Sequence, residues 1–409
     1  MFVFCADASV FPMSLLRLCY VCDVPISLPE ERRVVLESTA RKLKEAKGVD
    51  LEVTEDLVNA SAGLNLHEVE SAAIESWRRH GRFTVEAFTQ HKIALLRKHD
   101  IEYVEPSHGF EAVGGYAYLK EYVRRRVVDL LRNPGLAAYY GLSVPKGIVM
   151  YGIHGTGKTH FARALAKEVG LTMVKLDASQ FMRSLVGESE QRVKQVVEII
   201  ESLAPVVVFI DEIDQLFVAR TEVGAGDSGT FKRVQSTLLE WLSSKERRSF
   251  LVGATNLLEH VDPAFVRAGR VDDVVLVLPP DLEARREILH IHTQVVRRMP
   301  LADDVDLDEV ARETYMWTGG ELEQLCKDAA SLALEERSPR VTMEHFLRAM
   351  KARKINVRRR EEEVRRMVEV MSSHENVNQL FLEEALKVFA KSEERAGELL
   401  SARLESLLE

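Results

Sequence analysis

The stretch Gly152-Ile153-His154-Gly155-Thr156-Gly157-Lys158-Thr159 decides how the rest of this 409-residue chain is interpreted. It matches the pattern G-x-x-x-x-G-K-[ST] in full. An apolar run, "GIVMY" (147–151), precedes it, and an amphipathic run that ends at Gly170 follows it. A strand, a glycine loop and a helix N-terminus together form a cradle for polyphosphate, because the exposed N–H groups and the helix dipole favour anionic oxygens. The pattern therefore predicts a phosphate-binding loop.

The residues of this loop have distinct expected roles. Gly155 and Gly157 let the backbone approach the phosphates closely. Lys158 is expected to reach the β- and γ-phosphates, and Thr159 to hold Mg²⁺. The residues of this stretch that we predict to contact nucleotide are His154, Gly155, Thr156, Gly157, Lys158, Thr159 and His160.

Two carboxylates end a later apolar run. "TMVKLD" (172–177) predicts one strand, and "APVVVFIDEIDQLF" (204–217) predicts another that is buried on both faces and ends at Asp211 and Glu212. Ligands of α/β sheets bind at the carboxyl ends of the strands. Asp211 is therefore expected to help hold Mg²⁺, and Glu212 to orient and deprotonate an attacking water. An acidic pair that only caps a helix is the alternative, which the preceding phosphate loop disfavours.

Further polar residues follow the next predicted strand, "RSFLVGATN" (248–256). Asn256 ends this run, where it can reach a γ-phosphate and a water molecule. Arg267 and Arg270 come shortly after. They are either solvated side chains or arginine fingers that offset charge developing on the γ-phosphoryl group. Their spacing leaves both interpretations open.

Taken together, these motifs resemble the AAA family of ATPases over residues 111–350. "AVGGYAYLK" (112–120) resembles the adenine-proximal segment of the family, and "GATN" (253–256) resembles its sensor 1. The runs "REILHIHT" (286–293) and "TGGELEQLC" (318–326) resemble the helical lid of the unfoldase and proteasomal-ATPase branch. The resemblance implies an α/β core built on a parallel P-loop sheet, followed by a helical lid.

The resemblance also implies ATP hydrolysis, with ATP and Mg²⁺ as cofactors. Arg267 and Arg270 would act in the site of a neighbouring subunit, so the active form would be a homo-oligomeric ring, usually a hexamer. The residues that the resemblance places beside the adenine or on the lid side of the nucleotide are Ala112, Val113, Gly114, His292 and Gly319.

One departure from the family pattern concerns the first pore loop. "SLVGESE" (184–190) has Leu185 where the family usually has an aromatic residue that grips threaded polypeptide. Leucine offers less contact area and no stacking, so threading is less secure than hydrolysis. This segment and "GDSGTFKRV" (226–234) resemble instead the orphan AAA ATPases of cyanobacteria and plastids, which carry a degenerate first module before one working module.

A repeat with an offset of 256 residues links the N-terminal region to the lid. Val69 then aligns with Leu325 and Ala73 with Ala329, and further on, with a small length difference, "FTVEAF" (83–88) matches "VTMEHF" (341–346). "FVFCADAS" (2–9) would be the sensor strand of the copy, with Ala8 at the sensor position. We interpret residues 1–105 as a degenerate AAA remnant without Walker motifs. The alternative is that any two four-helix lids look alike, and whether the missing part lies upstream of Met1 stays open.

Four domains are therefore predicted: a remnant at 1–105, an α/β core at 106–279, a lid at 280–350 and a helical C-terminal extension at 351–409. The extension begins with a basic run, "KARKINVRRR" (351–360). This run fits a solvated helix start better than a nucleic-acid contact. The last helix would pack either on the lid or on a partner.

Bulk composition narrows the class of protein. The formal net charge is −9, which gives no chain-wide attraction to nucleic acid or anionic membranes. No apolar run reaches the roughly 18 residues that a membrane span needs. Four cysteines indicate a reducing cytoplasm rather than a disulfide framework. Cys19 and Cys22 form a CxxC, but buried strand cysteines explain it better than a metal site.

The predicted function is ATP-driven remodelling or disassembly of a protein or complex by an oligomeric ring. The expected partners are other copies of the chain and an unidentified protein substrate or adaptor, without nucleic acid or membrane. A nucleotide-gated assembly scaffold with slow turnover is the alternative.

Overall fold

The computed structural model describes residues 27–62, 64–98, 101–179, 190–218, 228–267, 269–353, 355–374 and 376–392. They form two compact units. The first contains the described residues within 1–104, 174–206 and 223–249, and the second those within 105–173, 207–222 and 250–409. Several predictions lie outside the described residues, namely the strand at 2–9 with Ala8, the Cys19 and Cys22 pair, and the pore segment with Leu185.

The described residues contain strands in both units, and those of the second unit pair in parallel. In chain order the described strands are β1 (Ile101–Val104), β2 (Gly147–Tyr151), β3 (Thr172–Asp177), β4 (Val206–Asp211), β5 (Phe250–Thr255) and β6 (Asp273–Leu276). Within the second unit the order is β4-β5-β2-β6, and Tyr151 pairs with both Thr255 and Leu276. Every residue of β2, β5 and β6 is buried, as is usual for parallel strands that are covered on both faces. The carboxyl ends of β2, β4 and β5 therefore lie at one edge.

Helices account for most of the remaining described residues. In chain order they are α1 (Pro29–Lys47), α2 (Glu55–Ala60), α3 (Leu66–His80), α4 (Val85–Arg97), α5 (Ala117–Val123), α6 (Asp129–Arg132), α7 (Pro134–Tyr139), α8 (Lys158–Val169), α9 (Glu190–Ser202), α10 (Ile213–Leu216), α11 (Ser228–Ser243), α12 (Leu282–His290), α13 (Leu307–Glu313), α14 (Gly319–Glu335), α15 (Met343–Ala352), α16 (Val357–Ser373) and α17 (Gln379–Ser392). Helix α8 ends at Gly170, which has φ 81° and caps the helix as predicted. None of the described helices is long and apolar enough to cross a membrane.

In the first unit, helices α1 to α4 enclose an apolar core of their own that includes Val69, Ala73 and Phe88. Helix α4 also contacts α9. There the buried Lys92 Nζ lies 3.4 Å from the carbonyl oxygen of Ser202, and burial lowers the pKa of this lysine to about 7. Strand β1, which the sequence did not predict, lies next to β3.

In the second unit, helices α12 to α15 enclose a separate core that includes Leu325, Ala329 and Phe346. The 256-residue repeat aligns Leu325 with Val69 and Ala329 with Ala73, and the second matched run, whose offset is 258, aligns Phe346 with Phe88. All six side chains are fully buried in their own clusters. The two four-helix segments therefore use aligned positions in the same way.

A buried arginine on the first helix of the N-terminal cluster ties that helix to the second one. Arg32 of α1 is 5% exposed. Its Nε donates to the carbonyl of Val58 in α2 at 3.3 Å, and its Nη1 donates to the carbonyl of Ser27 at 3.0 Å. One guanidinium thus satisfies a carbonyl before α1 and another within α2.

Arg285 makes the same pair of contacts in the second cluster. It lies on α12 and is 1% exposed. Its Nε donates to the carbonyl of Ala311 in α13 at 2.8 Å, and its Nη1 donates to the carbonyl of Pro280 at 3.1 Å. Each cluster therefore has a buried arginine that joins its first two helices through backbone carbonyls.

The described part of the C-terminal extension packs on the second unit. Helix α17 contacts α5 and β6, and the ring centroids of Phe381 and Tyr122 lie 4.5 Å apart. Just before α17, the N–H of Val274 in β6 donates to the carbonyl of Asn376 at 3.0 Å. The described helix α17 thus packs on the α/β core, and α16 contacts the lid through Arg360.

Candidate active site

The phosphate loop is held in a conformation that only glycine adopts readily. It connects the end of β2 to the start of α8, and Gly155 and Gly157 have φ values of 83° and 84°. A Cβ atom on Gly155 would lie 2.7 Å from Oγ1 of Thr318, and one on Gly152 would lie 2.4 Å from the carbonyl oxygen of Val277. Backbone conformation therefore favours glycine at 155 and 157, and lack of space requires it at 152 and 155.

Lys158 is the first residue of α8, and its side chain reaches back to the start of the phosphate loop. Its Nζ donates to the carbonyls of Gly152 at 2.6 Å and Ile153 at 3.0 Å. Burial lowers the pKa of Lys158 to about 8, although the nearby carboxylates of Asp211 and Asp214 act in the opposite direction. A polyanion in the loop would restore full protonation of this ammonium group.

The side chains of Thr156 and His154 in this loop have different surroundings. The hydroxyl of Thr156 is buried and donates to the carbonyl of Ile153 at 2.9 Å, so it stabilises the loop itself. His154 is exposed at the top of the loop.

The predicted metal ligands lie together. Oγ1 of Thr159 donates to Oδ2 of Asp211 at 3.2 Å, which joins the start of α8 to the end of β4. A hydroxyl and a carboxylate are hard oxygen donors of the kind that Mg²⁺ prefers beside phosphate oxygens. The donor set therefore fits the predicted ion.

Glu212 follows Asp211 in a left-handed backbone conformation, with φ 52°. Its Oε2 accepts a hydrogen bond from Nε2 of Gln215 at 2.7 Å. This contact orients the carboxylate, and the sparsely populated backbone conformation is of the type that clusters at functional sites.

Asn256 is exposed directly after β5, which is the parallel neighbour of both β4 and β2. The preceding residue, Thr255, is fixed on both sides. Its Oγ1 donates to Oδ1 of Asp214 at 2.6 Å, and its carbonyl accepts from the N–H of Gly152 at 3.2 Å. The ends of the three strands that carry the predicted residues are thus bonded to one another.

The two arginines differ in their surroundings. Arg267 is exposed. Arg270 is partly buried, and its guanidinium donates to the carbonyl of Ala264 within the same loop. Burial, and then the neighbouring charge of Arg267, lower the pKa of Arg270. Arg267 is therefore the arginine of the pair that projects furthest into solvent.

The adenine-proximal segment packs closely against the first lid helix. The carbonyl of Ala112 accepts from Nε2 of His160 at 2.9 Å, and Val113 is buried. A Cβ atom on Gly114 would lie 2.7 Å from Cγ1 of Ile288 in α12. The segment thus needs glycine at this position because the lid helix is so near.

The lid also contacts the phosphate loop. Gly319 is the first residue of α14, and the N–H of Gly320 donates to the carbonyl of Gly155 at 3.0 Å. His292 lies in a π-helical segment (Ile291–Val296), where its Nδ1 accepts from Nη1 of Arg297 at 2.9 Å. Burial is the main cause of the lowered pKa of His292.

Tyr116 is a site residue that the sequence reasoning missed. Its buried hydroxyl lies 3.0 Å from the carbonyl oxygen of Thr156 in the phosphate loop and 3.1 Å from that of Leu278. It therefore joins the adenine-proximal segment to the phosphate loop and to the start of the lid. The only sequence signal was its position after two glycines, which does not reveal the partners.

Comparison with known proteins agrees with this geometry. Residues 148–278 match the model of the ATPase family associated with various cellular activities (AAA), and residues 304–348 match the AAA+ lid domain. A proteasome-activating nucleotidase from Archaeoglobus fulgidus is 32% identical over 296 residues, which are 72% of this chain and 73% of that protein. The chain belongs to the AAA family. The resemblance inferred from the sequence motifs is confirmed.

Two other relatives show how the similarity is distributed. Protein SAV of Sulfolobus acidocaldarius is 40% identical over 56% of this chain, and the match covers 29% of that protein. An uncharacterized AAA domain-containing protein, ycf46, of Guillardia theta is 29% identical over 76% of this chain and 62% of its own length. The chain thus spans less than two thirds of several curated AAA relatives that it matches.

The Tyr116 hydroxyl can be tested against a neighbour. Tyr116→Phe leaves two buried carbonyls without this donor, so we expect it to lower the free energy of unfolding by about 1–2 kcal/mol. Tyr118 is equally buried, but its hydroxyl makes no well-aligned hydrogen bond with any described residue, and only the Leu278 carbonyl offers it a weak contact. Tyr118→Phe should therefore change stability by much less. Urea unfolding of both variants measures the difference, and equal losses would contradict the assigned role of Tyr116.

Proposed function

We propose that this chain binds ATP with Mg²⁺ and hydrolyses it at the edge formed by the ends of β2, β4 and β5. The observation that carries the proposal is the hydrogen bond between Thr159 and Asp211, which brings the phosphate loop and the acidic strand end together. Both residues would hold Mg²⁺, and the ion would supply positive charge to the β- and γ-phosphate oxygens.

The chain's own groups account for the remaining steps. Lys158 would neutralise phosphate charge, and Asn256 would orient a water molecule. Glu212 would accept a proton from that water as its oxygen bonds to the γ-phosphorus. The bond from this phosphorus to the β–γ bridging oxygen breaks at the same time, which gives ADP and inorganic phosphate. The contact from Gln215 to Glu212 supports this role because it fixes the carboxylate.

We further propose that Arg267 and Arg270 complete the site of a neighbouring copy in a ring, which would be a hexamer. The exposure of Arg267 supports this assignment, since it can reach another chain. Arg270 would have to exchange its contact with the Ala264 carbonyl, or hold the loop that presents Arg267. The output would be remodelling of a protein substrate in the cytoplasm, consistent in kind with a relative named as a proteasome-activating nucleotidase.

We also propose that residues 1–105 derive from an AAA module that kept its lid. The matching contacts of Arg32 and Arg285, and the aligned buried residues of the two clusters, support a common origin. Within the first unit, α4 of the remnant contacts α9. We propose that the remnant influences assembly of the ring through this unit.

Removing residues 1–98 tests the remnant and leaves β1 in place. We expect a lower assembly mass at the same protein concentration, measured by mass photometry, with an unchanged affinity of the single chain for nucleotide. Assembly and turnover identical to those of the full chain would show that the remnant has no such role.

The Glu212→Gln variant tests the proposed reaction. We expect ATP binding to persist while turnover falls by about 100-fold or more, because the amide cannot accept the proton from water. Arg267→Ala should also keep nucleotide affinity and lose turnover, by roughly 1,000-fold, if the arginine acts on the transition state. Phosphate release and nucleotide binding are measured on the same preparations. Unchanged turnover in Glu212→Gln would overturn the assignment.

The same preparations distinguish remodelling from a scaffold. A remodelling ring would unfold a tagged fluorescent reporter with ATP, and Glu212→Gln would not. A nucleotide-gated scaffold would assemble with ATP in both proteins and leave the reporter fluorescent. Assembly without loss of reporter fluorescence would support the scaffold function in place of remodelling. It would not contradict the proposed nucleotide site.

Nucleotide affinity should depend on the charge of Lys158. Its pKa of about 8 without phosphate rises when phosphates bind, so affinity is fully present well below pH 8 and weakens as the pH rises through 8. From pH 7.5 to 9 we expect the Kd for ADP to increase roughly eightfold, with uptake of a proton. Calorimetry in buffers of different ionisation enthalpy measures both quantities.

Lys158→Arg is the matched control, because a guanidinium stays charged over this range. Its affinity should be lower but nearly independent of pH. A wild-type protein that takes up no proton at pH 8.5 would contradict the assigned role of Lys158.

A further inference from the structure

Arg360 of the C-terminal extension forms hydrogen bonds with the first turn of the lid helix α14. Its Nη1 donates to Oε2 of Glu321 at 2.6 Å, and its Nη2 donates to Oε1 of the same carboxylate at 3.0 Å. Nη1 also donates to the carbonyl of Met316 at 3.0 Å. The two charged side chains are only 21% and 26% exposed, so this two-pronged pair is less screened by solvent than a surface ion pair.

The turn held by Arg360 is the one that contacts the phosphate loop. Glu321 forms a capping box with Thr318, whose N–H donates to Oε2 of Glu321 at 2.7 Å. Between these two residues, the N–H of Gly320 donates to the carbonyl of Gly155. On the other side of the cap, Met316 has φ 62°, which costs a non-glycine residue conformational energy. Arg360 therefore bonds to both flanks of the turn.

The helix that carries Arg360 is anchored on the α/β core. Four apolar residues with helical spacing are buried along α16, namely Val364, Met367, Val368 and Met371. Arg366, near the middle of α16, lies 3.5 Å from Glu259, whose other carboxylate oxygen lies 3.4 Å from the hydroxyl of Tyr151 at the end of β2. The backbone bond between Val274 and Asn376 then fixes the chain after α16 to β6.

We propose that α16 acts in cis as a strap that holds the first turn of α14 against the phosphate loop, with Arg360 as a positioning residue for nucleotide binding. This inference rests on the proposed nucleotide site. The strap restricts the lid turn before nucleotide arrives, so less conformational freedom is lost on binding. Release of nucleotide, which requires the turn to leave Gly155, is slowed for the same reason. Arg360 touches neither phosphate nor the reacting water and is not a catalytic residue.

The test uses the full chain, mant-ADP as the probe and three variants. Arg360→Gln removes the charge and the two-pronged geometry, whereas Arg360→Lys keeps only the charge. Arg365→Gln is the matched control, because Arg365 is an exposed arginine on the same helix. We expect Arg360→Gln to weaken mant-ADP binding and raise the KM for ATP about fivefold, with kcat not reduced. Arg360→Lys should be intermediate, and Arg365→Gln should match the wild type.

A raised KM with an unreduced kcat distinguishes a positioning role of Arg360 from partial unfolding of the protein, because partial unfolding would reduce kcat. Wild-type affinity in a folded Arg360→Gln protein would overturn the strap. If Arg360→Gln fails to fold, Arg360→Lys decides the question: an affinity equal to that of the wild type would count against the strap, and a weakened one would support it.

Hydrogen–deuterium exchange without nucleotide gives a readout that is independent of the proposed function. Amides of residues 318–325 should exchange at least fivefold faster in Arg360→Gln than in Arg365→Gln. If the wild type binds no mant-ADP, the proposed function fails. The exchange result then still decides whether α16 holds the lid turn.

Discussion

The close approach of Gly155 to the first turn of α14 constrains most of the second unit. Gly155 has a left-handed backbone, and its missing side chain leaves room for Oγ1 of Thr318. Its carbonyl accepts from Gly320. The phosphate loop and the lid helix therefore cannot be arranged independently. The adenine-proximal segment, which packs on the lid through Gly114 and bonds to the loop through Tyr116, has to fit both.

The core strands and the residues at their ends could be predicted because a strand buried on both faces has a distinctive sequence. The runs at 147–151 and 206–211 contain almost only apolar residues, and each ends where polar residues begin. The run at 172–177 instead alternates, with Met173, Val174 and Leu176 buried between half-buried residues. Once parallel pairing is assumed, the carboxyl ends must meet at one edge. The closeness of Thr159 and Asp211 follows from that pairing, and the structure has it.

Other features depend on contacts that no local pattern encodes. The hydroxyl of Tyr116 reaches a carbonyl 162 positions away, and Arg360 reaches a carboxylate 39 positions away. A tyrosine after two glycines, and the last arginine in a basic run, look like ordinary surface residues in the sequence. Strand β1 has only four residues, "IEYV", with a single fully buried side chain, so its alternation is too short to identify.

The backbone bond between Val274 and Asn376 has a consequence for how copies of the chain can associate. Strand β6 stands at one end of the order β4-β5-β2-β6, and an open edge of that kind can recruit a strand from another molecule. Here the chain's own residues 376–377 pair with it in parallel. This contact occupies the middle of the edge, so strand addition by another molecule is disfavoured there and association through side-chain surfaces, which can be selective, is favoured.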